Sequence, residues 1–281
     1  PSSGQLCCFY SDKPLSIRGE SGDPADVIIN AEYNGLGFVS LLESNPGDDT
    51  NRINISGVTL MNGFALGGGA SVAANLTLRA DLLNIQDCDI LGGQSEASSA
   101  GGFDLSANEI SMSQCKVVGN TGGLTGGGVT NANSISTISD CWFENNNGLY
   151  DAGALTCAGS NSAGHFIHGC SFVHNSGEAT GALSPWTSVS IENSTFYANH
   201  GDSLAADIGI LPFPSVIVSV NKSILAYGTG RPAAAVHETS SGLFELSCTD
   251  IFGNSEGDWV DPISEQSGVN GNFSLDPEFC F

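Results

Sequence analysis

One short pattern recurs along the whole chain, and a recurrence at this spacing admits few folds. Its clearest copy is Leu83-Asn84-Ile85-Gln86-Asp87-Cys88-Asp89-Ile90: alternating apolar and polar residues, a two-residue polar break, a small residue, then alternation again. The same order returns at 110–117, 136–143, 165–172, 189–196 and 218–225, with an earlier copy at 53–60 and a later one at 244–251. The small-residue position reads Val58, Cys88, Cys115, Cys141, Cys170, Ser194, Ser223, in steps of 30, 27, 26, 29, 24 and 29 residues. A second signature alternates with the first: Gly67-Gly68-Gly69-Ala70, Gly101-Gly102-Phe103, Gly126-Gly127-Gly128-Val129, Ala152-Gly153-Ala154-Leu155 and Gly181-Ala182-Leu183.

This period is too short for a propeller blade and lacks the leucine code of leucine-rich repeats. Period-2 alternation marks strands, and the Asn/Gly breaks mark turns. A strand averages about five or six residues, so each unit holds about three strands and three turns. Glycine and β-branched residues argue against a helix in any copy. The pattern therefore predicts an all-β, single-stranded right-handed parallel β-helix, one coil per repeat, stacked at the ordinary inter-strand spacing of about 4.8 Å. From Leu15 to Phe281 there is room for about nine or ten coils, a rod roughly 45 Å long. Ile85, Cys88 and Ile90 are expected to point inward while Gln86 and Asp87 turn a corner. Val58, Cys88, Cys115, Cys141, Cys170, Ser194 and Ser223 then stack as one core ladder, and length variation falls at the turns.

The repeats span 15–254. Residues 1–20, with vicinal Cys7-Cys8, are expected to cap one end or start the first coil. Residues 255–281 depart from the period and are expected to wrap the other end or form a partial last coil, with Cys248 and Cys280 as a staple. A chain that starts at Pro1 and stops just after Cys280 also suggests a trimmed product and a further domain beyond.

Charge narrows the partners. Lys plus Arg is 7 and Asp plus Glu is 30, a net charge of −23. Phosphate-rich partners need cationic neutralisation, so nucleic acid and anionic membranes are excluded. The most apolar stretch, 208–220, is cut by Pro212 and Pro214, too short for a membrane span. Hydrophobic residues at 40% exclude a disordered acidic tail. The lysine-poor surface, rich in Asp, Asn, Ser, Thr and Gly, points to a secreted or cell-surface protein. Nine cysteines are too few for a disulfide scaffold, and their odd number leaves at least one thiol unpaired or intermolecular.

A further motif, Phe-x-x-Asn, occurs at Phe143 to Asn146, Phe172-Val-His-Asn175 and Phe196-Tyr-Ala-Asn199, with looser copies at Val117-Val-Gly-Asn120 and Ile251-Phe-Gly-Asn254. Together with the Gly-Gly-Ala/Val/Leu corners, it resembles the repeat of the polymorphic outer-membrane proteins, β-helical autotransporter adhesins. More broadly the chain is similar to secreted bacterial β-helix proteins of the pectin-lyase-like fold. The resemblance covers about 15–254 and implies the fold; because that fold carries unrelated functions, it leaves the activity open. No C-terminal membrane barrel accompanies the repeats.

Catalysis on such a rod needs convergent groups. A polysaccharide lyase uses a strong base beside calcium-bound acidic sugars, yet Arg18, Arg52, Arg79, Arg231, Lys13, Lys116 and Lys222 are scattered. A glycoside hydrolase needs two carboxylates about 5–10 Å apart. Asp104, Asp151 and Asp207, near the Gly-rich corners, are the candidates; the bland reading is solvated turn acids. Asp48, Asp49, Asp258 and Asp261 are candidate calcium ligands, or hydrated loop acids. His165, His168 and Cys170 have zinc-type chemistry, but Phe166, Ile167 and Phe172 around them fit a core pattern. No cofactor is expected, with calcium the one conceivable ion. Asn54, Asn75, Asn193, Asn221 and Asn272 open Asn-x-Ser/Thr sequons, which occur by chance in such a composition.

The leading expectation is a non-catalytic extracellular structural or adhesive β-helix. Its partners would be further copies of itself, laterally or end to end as a homopolymeric filament, or an extracellular glycan or surface. The alternatives are a polysaccharide lyase or glycoside hydrolase, and a carbohydrate-binding module with Trp142, Trp186 and Tyr197 as candidate stacking platforms.

Overall fold

A computed structural model describes residues 7–11 (as backbone), 13–41, 51–66, 73–96, 100–160, 164–213 and 215–279. The chain is a parallel β-solenoid of about eight turns, slightly fewer than the nine or ten expected from the repeat count. Apart from single turns of 3-10 helix at Pro24–Asp26 and Ser264–Gln266, the regular structure is strand. No helix among the described residues is long and apolar enough to cross a membrane.

Three parallel sheets form the sides of the rod, two along its whole described length and the third from Phe64–Ala65 to His200–Gly201. The largest carries two strand segments per turn, which fuse in Phe103–Ser113 and Gly128–Ser139 and are separate in Leu155–Gly159 and Gly164–His168. The second sheet takes the three-residue strands such as Lys116–Val118, Trp142–Glu144 and Ser171–Val173. The third takes two-residue strands such as Asn147–Gly148 and Ser176–Gly177.

Register makes each inward position a column. Ile85, Met112, Ile138, Ile167, Ile191, Val220 and Leu246 lie over one another in the largest sheet. In the second, Val117, Phe143, Phe172, Phe196 and Leu225 do the same. The Phe143 and Phe172 rings stack at 4.9 Å and 7°, and Phe172 and Phe196 at 4.6 Å and 6°. Rib spacing sets that distance, so identical aromatics on successive ribs stack without adjusting the backbone. Glycine at 128 answers to the same packing: a Cβ there would lie 2.4 Å from the Phe103 ring.

The turn between the first two sheets explains the small-residue column. The residue before it sits in the left-handed region on rib after rib, for instance Asp87 (φ 49°), Gln114 (53°), Asp140 (53°), Asn193 (50°) and Lys222 (48°). The carbonyl two residues before the small residue accepts the corner N–H of the preceding rib and has a second lone pair turned to the small side chain. Cys88, Cys115 and Cys141 thiols donate to the carbonyls of Gln86, Ser113 and Ser139 at 3.1–3.2 Å, and the Ser194 and Ser223 hydroxyls to those of Glu192 and Asn221 at 3.0 and 2.9 Å. Thr249, missed by the repeat alignment, continues the column and donates to Ser247 O at 3.0 Å. Val58, at its other end, is fully buried. Hydrogen bonds to the neighbouring thiols, and then burial, push the Cys115 thiol up, as they do Cys170. Cys115→Ala is expected to cost about 1–3 kcal/mol through the cavity and the lost thiol hydrogen bond to Ser113 O, which keeps the Asp87 N–H. Cys115→Ser, which keeps the donor, should cost under ~1 kcal/mol, as should Asp140→Gly at the exposed corner. Urea titration of the three variants checks the order.

After Phe252 the chain leaves the period. Ile263 is fully buried under the last rib, Trp259 packs half-buried beside it, and residues 270–273 run alongside Ser247–Asp250. The chain then turns up the outer face of the second sheet. Tyr227 Oη donates to Asp276 Oδ1 at 2.6 Å, and the Phe279 ring meets Tyr197 edge-on at 5.0 Å. Cys248 is exposed, while Cys280 lies outside the described residues, as do Asp48, Asp49 and the glycine run at 67–70.

Candidate functional site

The Asn of the Phe-x-x-Asn motif builds a buried chain of side-chain amides. Asn120, Asn146, Asn175 and Asn199 each stand one residue past a left-handed corner and are fully buried or nearly so. Each amide donates to the next: Asn120 Nδ2 to Asn146 Oδ1 (3.0 Å), Asn146 Nδ2 to Asn175 Oδ1 (3.0 Å), and Asn175 Nδ2 to Asn199 Oδ1 (3.1 Å). Each also donates to a carbonyl of the preceding rib, namely Ile90, Val117, Phe143 and Phe172. The backbone N–H groups of Asn120, Asn146 and Asn175 are taken by the following Oδ1.

Where this column holds glycine, a residue from elsewhere fills the space. Asn75 stands in at one end, accepting from Gly63 N and donating to Leu91 O and Asn120 Oδ1. At the other end Asp207 stands beside Gly228, and Asn199 Nδ2 donates to its Oδ1 at 2.9 Å. The chain Asn75–Asn120–Asn146–Asn175–Asn199–Asp207 therefore runs in one direction and ends on a carboxyl. Asp207 is fully buried, its Oδ2 has no partner, and burial pushes its pKa up to about 7 against the Asn199 donor. It is a structural rung, and no sequence signal in its own repeat marks it as one.

The other two candidate carboxyls sit elsewhere. Asp151 is buried on the outside of the largest sheet, beneath a turn. Thr156 Oγ1 and Trp186 Nε1 both donate to its Oδ2 at 3.1 Å, and the Thr156 hydroxyl also meets that of Thr125 at 2.7 Å. Burial raises its pKa to about 6, opposed by the Ser184, Thr156 and Trp186 donors. Asp104 projects outward from Phe103–Ser113 and is also buried; burial raises its pKa to about 6, opposed by the Arg79 charge. Along the rod, the Asp151 rib lies two steps and the Asp207 rib four steps beyond that of Asp104, roughly 10 and 20 Å. Raised carboxyl pKa values mark acid catalysts when a substrate can reach them. Here Asp151 is tied to Thr156 and Trp186, Asp207 to the amide column, and the three do not converge.

The remaining candidates also disperse. His165 points inward with both ring nitrogens unpaired, and burial pushes its pKa down to about 4. His168 points outward, 4.0 Å from Glu192, and Cys170 returns to the core. Asp258 Oδ1 accepts from Asn254 N and Nδ2, and Asp261 from Ser264. No group of three or more His, Cys, Asp or Glu with metal-binding geometry occurs among the described residues. Trp186 is spent on Asp151 and packs on Phe213, whereas Trp142 is exposed on the second sheet and Tyr197 lies beneath Phe279, so these aromatics form no common platform.

The sequence-level reading overlooked the outer face of the second half of the largest sheet. Its central outward column is Asn54, Asn84, Ser111, Thr137, Phe166, Ser190, Ser219 and Glu245. Beside it run Leu82, Ile135, Ile217 and Leu243, the last three exposed. Three hollows of about 420, 240 and 450 Å³ follow one another along this face. The exposed Phe166 ring lines the middle one, and Gln266 and Asn270 of the tail line the last. The charged side chains lining them are Arg52, Glu109 and Glu245 alone. On a chain of net charge −23, this is a long, nearly neutral face of hydroxyls and amides with apolar edges.

Fold and surface together define a class, the parallel β-solenoids, here with a long polar sheet face uncovered among the described residues. Comparison of the chain with protein-family models, with curated proteins and with solved structures found no match in any of the three.

Proposed function

We propose that this chain is a non-catalytic extracellular β-helix that works by adhesion, holding a neutral glycan along the outer face that runs from Asn54 to Glu245. The observation that carries this reading is that face: three hollows in line, lined by Asn, Ser and Thr side chains, with one exposed aromatic ring at their middle. Parallel sheets are commonly covered on both faces, so a long uncovered one is a surface for a partner. An extended sugar chain laid along the rod would meet a new rib about every 4.8 Å, on the order of one sugar unit. Hydroxyl and amide side chains suit its hydroxyls, Phe166 suits its apolar ring face, and the chain's net charge disfavours polyanions. The enclosure and dispersal of Asp104, Asp151 and Asp207 favour adhesion over hydrolysis or elimination. The surface composition favours a secreted or cell-surface setting.

The test is retention of the purified chain on immobilised neutral and acidic glycans, with and without calcium, with assay for new reducing or unsaturated ends. Neutral glycans are expected to retain it without turnover, and Phe166→Ala should weaken retention about tenfold, the equivalent of ~1.4 kcal/mol, with melting unchanged. Turnover that disappears on substituting Asp104, Asp151 or Asp207 would overturn the adhesive reading in favour of an enzyme.

A further inference from the structure

Among the described residues, the two ends of the rod are built differently. At the C-terminal end, residues 270–273 imitate one more rib. Asn270 O accepts the Cys248 N–H at 3.0 Å, as Ser247 O accepts the Lys222 N–H at 3.1 Å one rib earlier. Gly271, at φ 77°, repeats the left-handed corner. Asn272 Oδ1 accepts the Thr249 N–H at 3.1 Å, as Ser223 Oγ accepts the Ser194 N–H at 3.1 Å, and Phe273 bridges Asp250. Gln266 then covers the last long strand, Leu243–Ser247: its Oε1 accepts the Leu246 N–H at 2.8 Å and its Nε2 donates to Phe244 O at 2.9 Å. The edge that a further rib would occupy is taken by the chain's own tail.

The other end has no such cover among the described residues. Leu15–Arg18 pairs only with Arg52–Ser56, and Ile28–Asn30 only with Thr59–Met61. Leu15, Ile17 and Ile29 are half-buried, whereas Ile53, Ile55 and Leu60, next in their columns, are fully buried. The columns at the two ends correspond. Leu15, Ile17 and Ile29 begin the columns that Phe244, Leu246 and Ile251 finish.

We propose that the rib 243–252 is a self-association edge for the first rib of a second copy of this chain, and that residues 259–273 hold it shut. The occupant is another copy because in-register parallel stacking is the contact the chain already makes at every rib, and each column continues across the junction with residues of its own kind. Such a contact is head-to-tail, so it propagates along the rod axis into a filament and does not close into a dimer. The tail sets whether the rod stays single. This goes beyond adhesion and is independent of any glycan.

The test uses the 281-residue chain carrying Ile263→Asp, Gln266→Ala and Asn272→Ala, which withdraws the plug under the last rib together with the side-chain bonds of the tail. Sedimentation and electron microscopy over a concentration series are expected to give single rods for the natural chain and end-to-end multiples for the triple variant. Adding Leu15→Asp and Ile17→Asp should return single rods, and so should a free peptide of residues 259–273. A triple variant that keeps its β-sheet circular dichroism yet stays single at high concentration overturns the proposal. So does assembly indifferent to Leu15→Asp and Ile17→Asp.

Discussion

Asp207→Asn is expected to stabilise the chain at pH 8 by up to roughly 4 kcal/mol and to change it little at pH 4. The natural carboxyl titrates near 7 when folded, against an ordinary value of 3.8, because burial disfavours its charge. A raised folded pKa means that the folded chain holds this proton more tightly than the unfolded one. Stability is therefore fully present below about pH 4 and is lost as pH rises through 7. About three pH units at 1.36 kcal/mol each give the magnitude. An amide at 207 carries no charge to desolvate. It would accept from Asn199 as the carboxyl does and turn its own NH2 toward Asn254 Oδ1, which lies by Gly228 alongside Asp207 Oδ2. Asp104 and Asp151, both raised to about 6 by burial, act in the same direction. The natural chain should accordingly melt higher at pH 5 than at pH 8. Calorimetry across that range checks both statements; a natural chain that gains stability from pH 5 to 8 would show Asp207 to be charged and paired.

The second large effect is expected at Asn146, in the middle of the amide chain. Asn146→Ala deprives Asn120 N and Nδ2 of their acceptor, and Val117 O and Asn175 Oδ1 of a donor, all in the core. Leaving buried groups unpaired costs about 1–3 kcal/mol each, with some relaxation, so a loss of about 4 kcal/mol is expected. Phe172→Ala, between two stacked rings, belongs in the same range of about 3–5 kcal/mol. The two substitutions differ in how the damage spreads. A cavity is local, whereas breaking the amide chain uncouples ribs on either side of it, and in a solenoid stability depends on such nearest-neighbour terms. Urea unfolding of Asn146→Ala should therefore be broader than that of Phe172→Ala at similar midpoint. Equal transition slopes would mean that the column carries no coupling beyond its bonds.

The repeat made the rod legible. Alternation at Leu83–Gln86, the corner at Asp87 and the small residue at Cys88 gave strand, turn and inward column, because the backbone of a stacked coil asks the same thing of each rib. The Phe-x-x-Asn motif was visible too, but its meaning was not. An asparagine after a corner reads as a turn residue until its neighbours above and below are known, since the column's bonds join residues 24 to 29 positions apart. Asp104, Asp151 and Asp207 looked like corner acids for the same reason. In sequence all three sit by Gly-rich corners, yet Asp207 fills the space that Gly228 leaves, Asp151 lies beneath a turn with Trp186, and Asp104 is held near Arg79.

Local spacing thus determined the period, the strands and the inward columns, since these follow from side-chain alternation and corner geometry within one repeat. Only the tertiary structure decided which carboxyls are buried rungs, which sheet face stays uncovered, and which end of the rod is shut. Those depend on what lies one rib away, and between neighbouring ribs stand some two dozen residues whose own pattern does not record it.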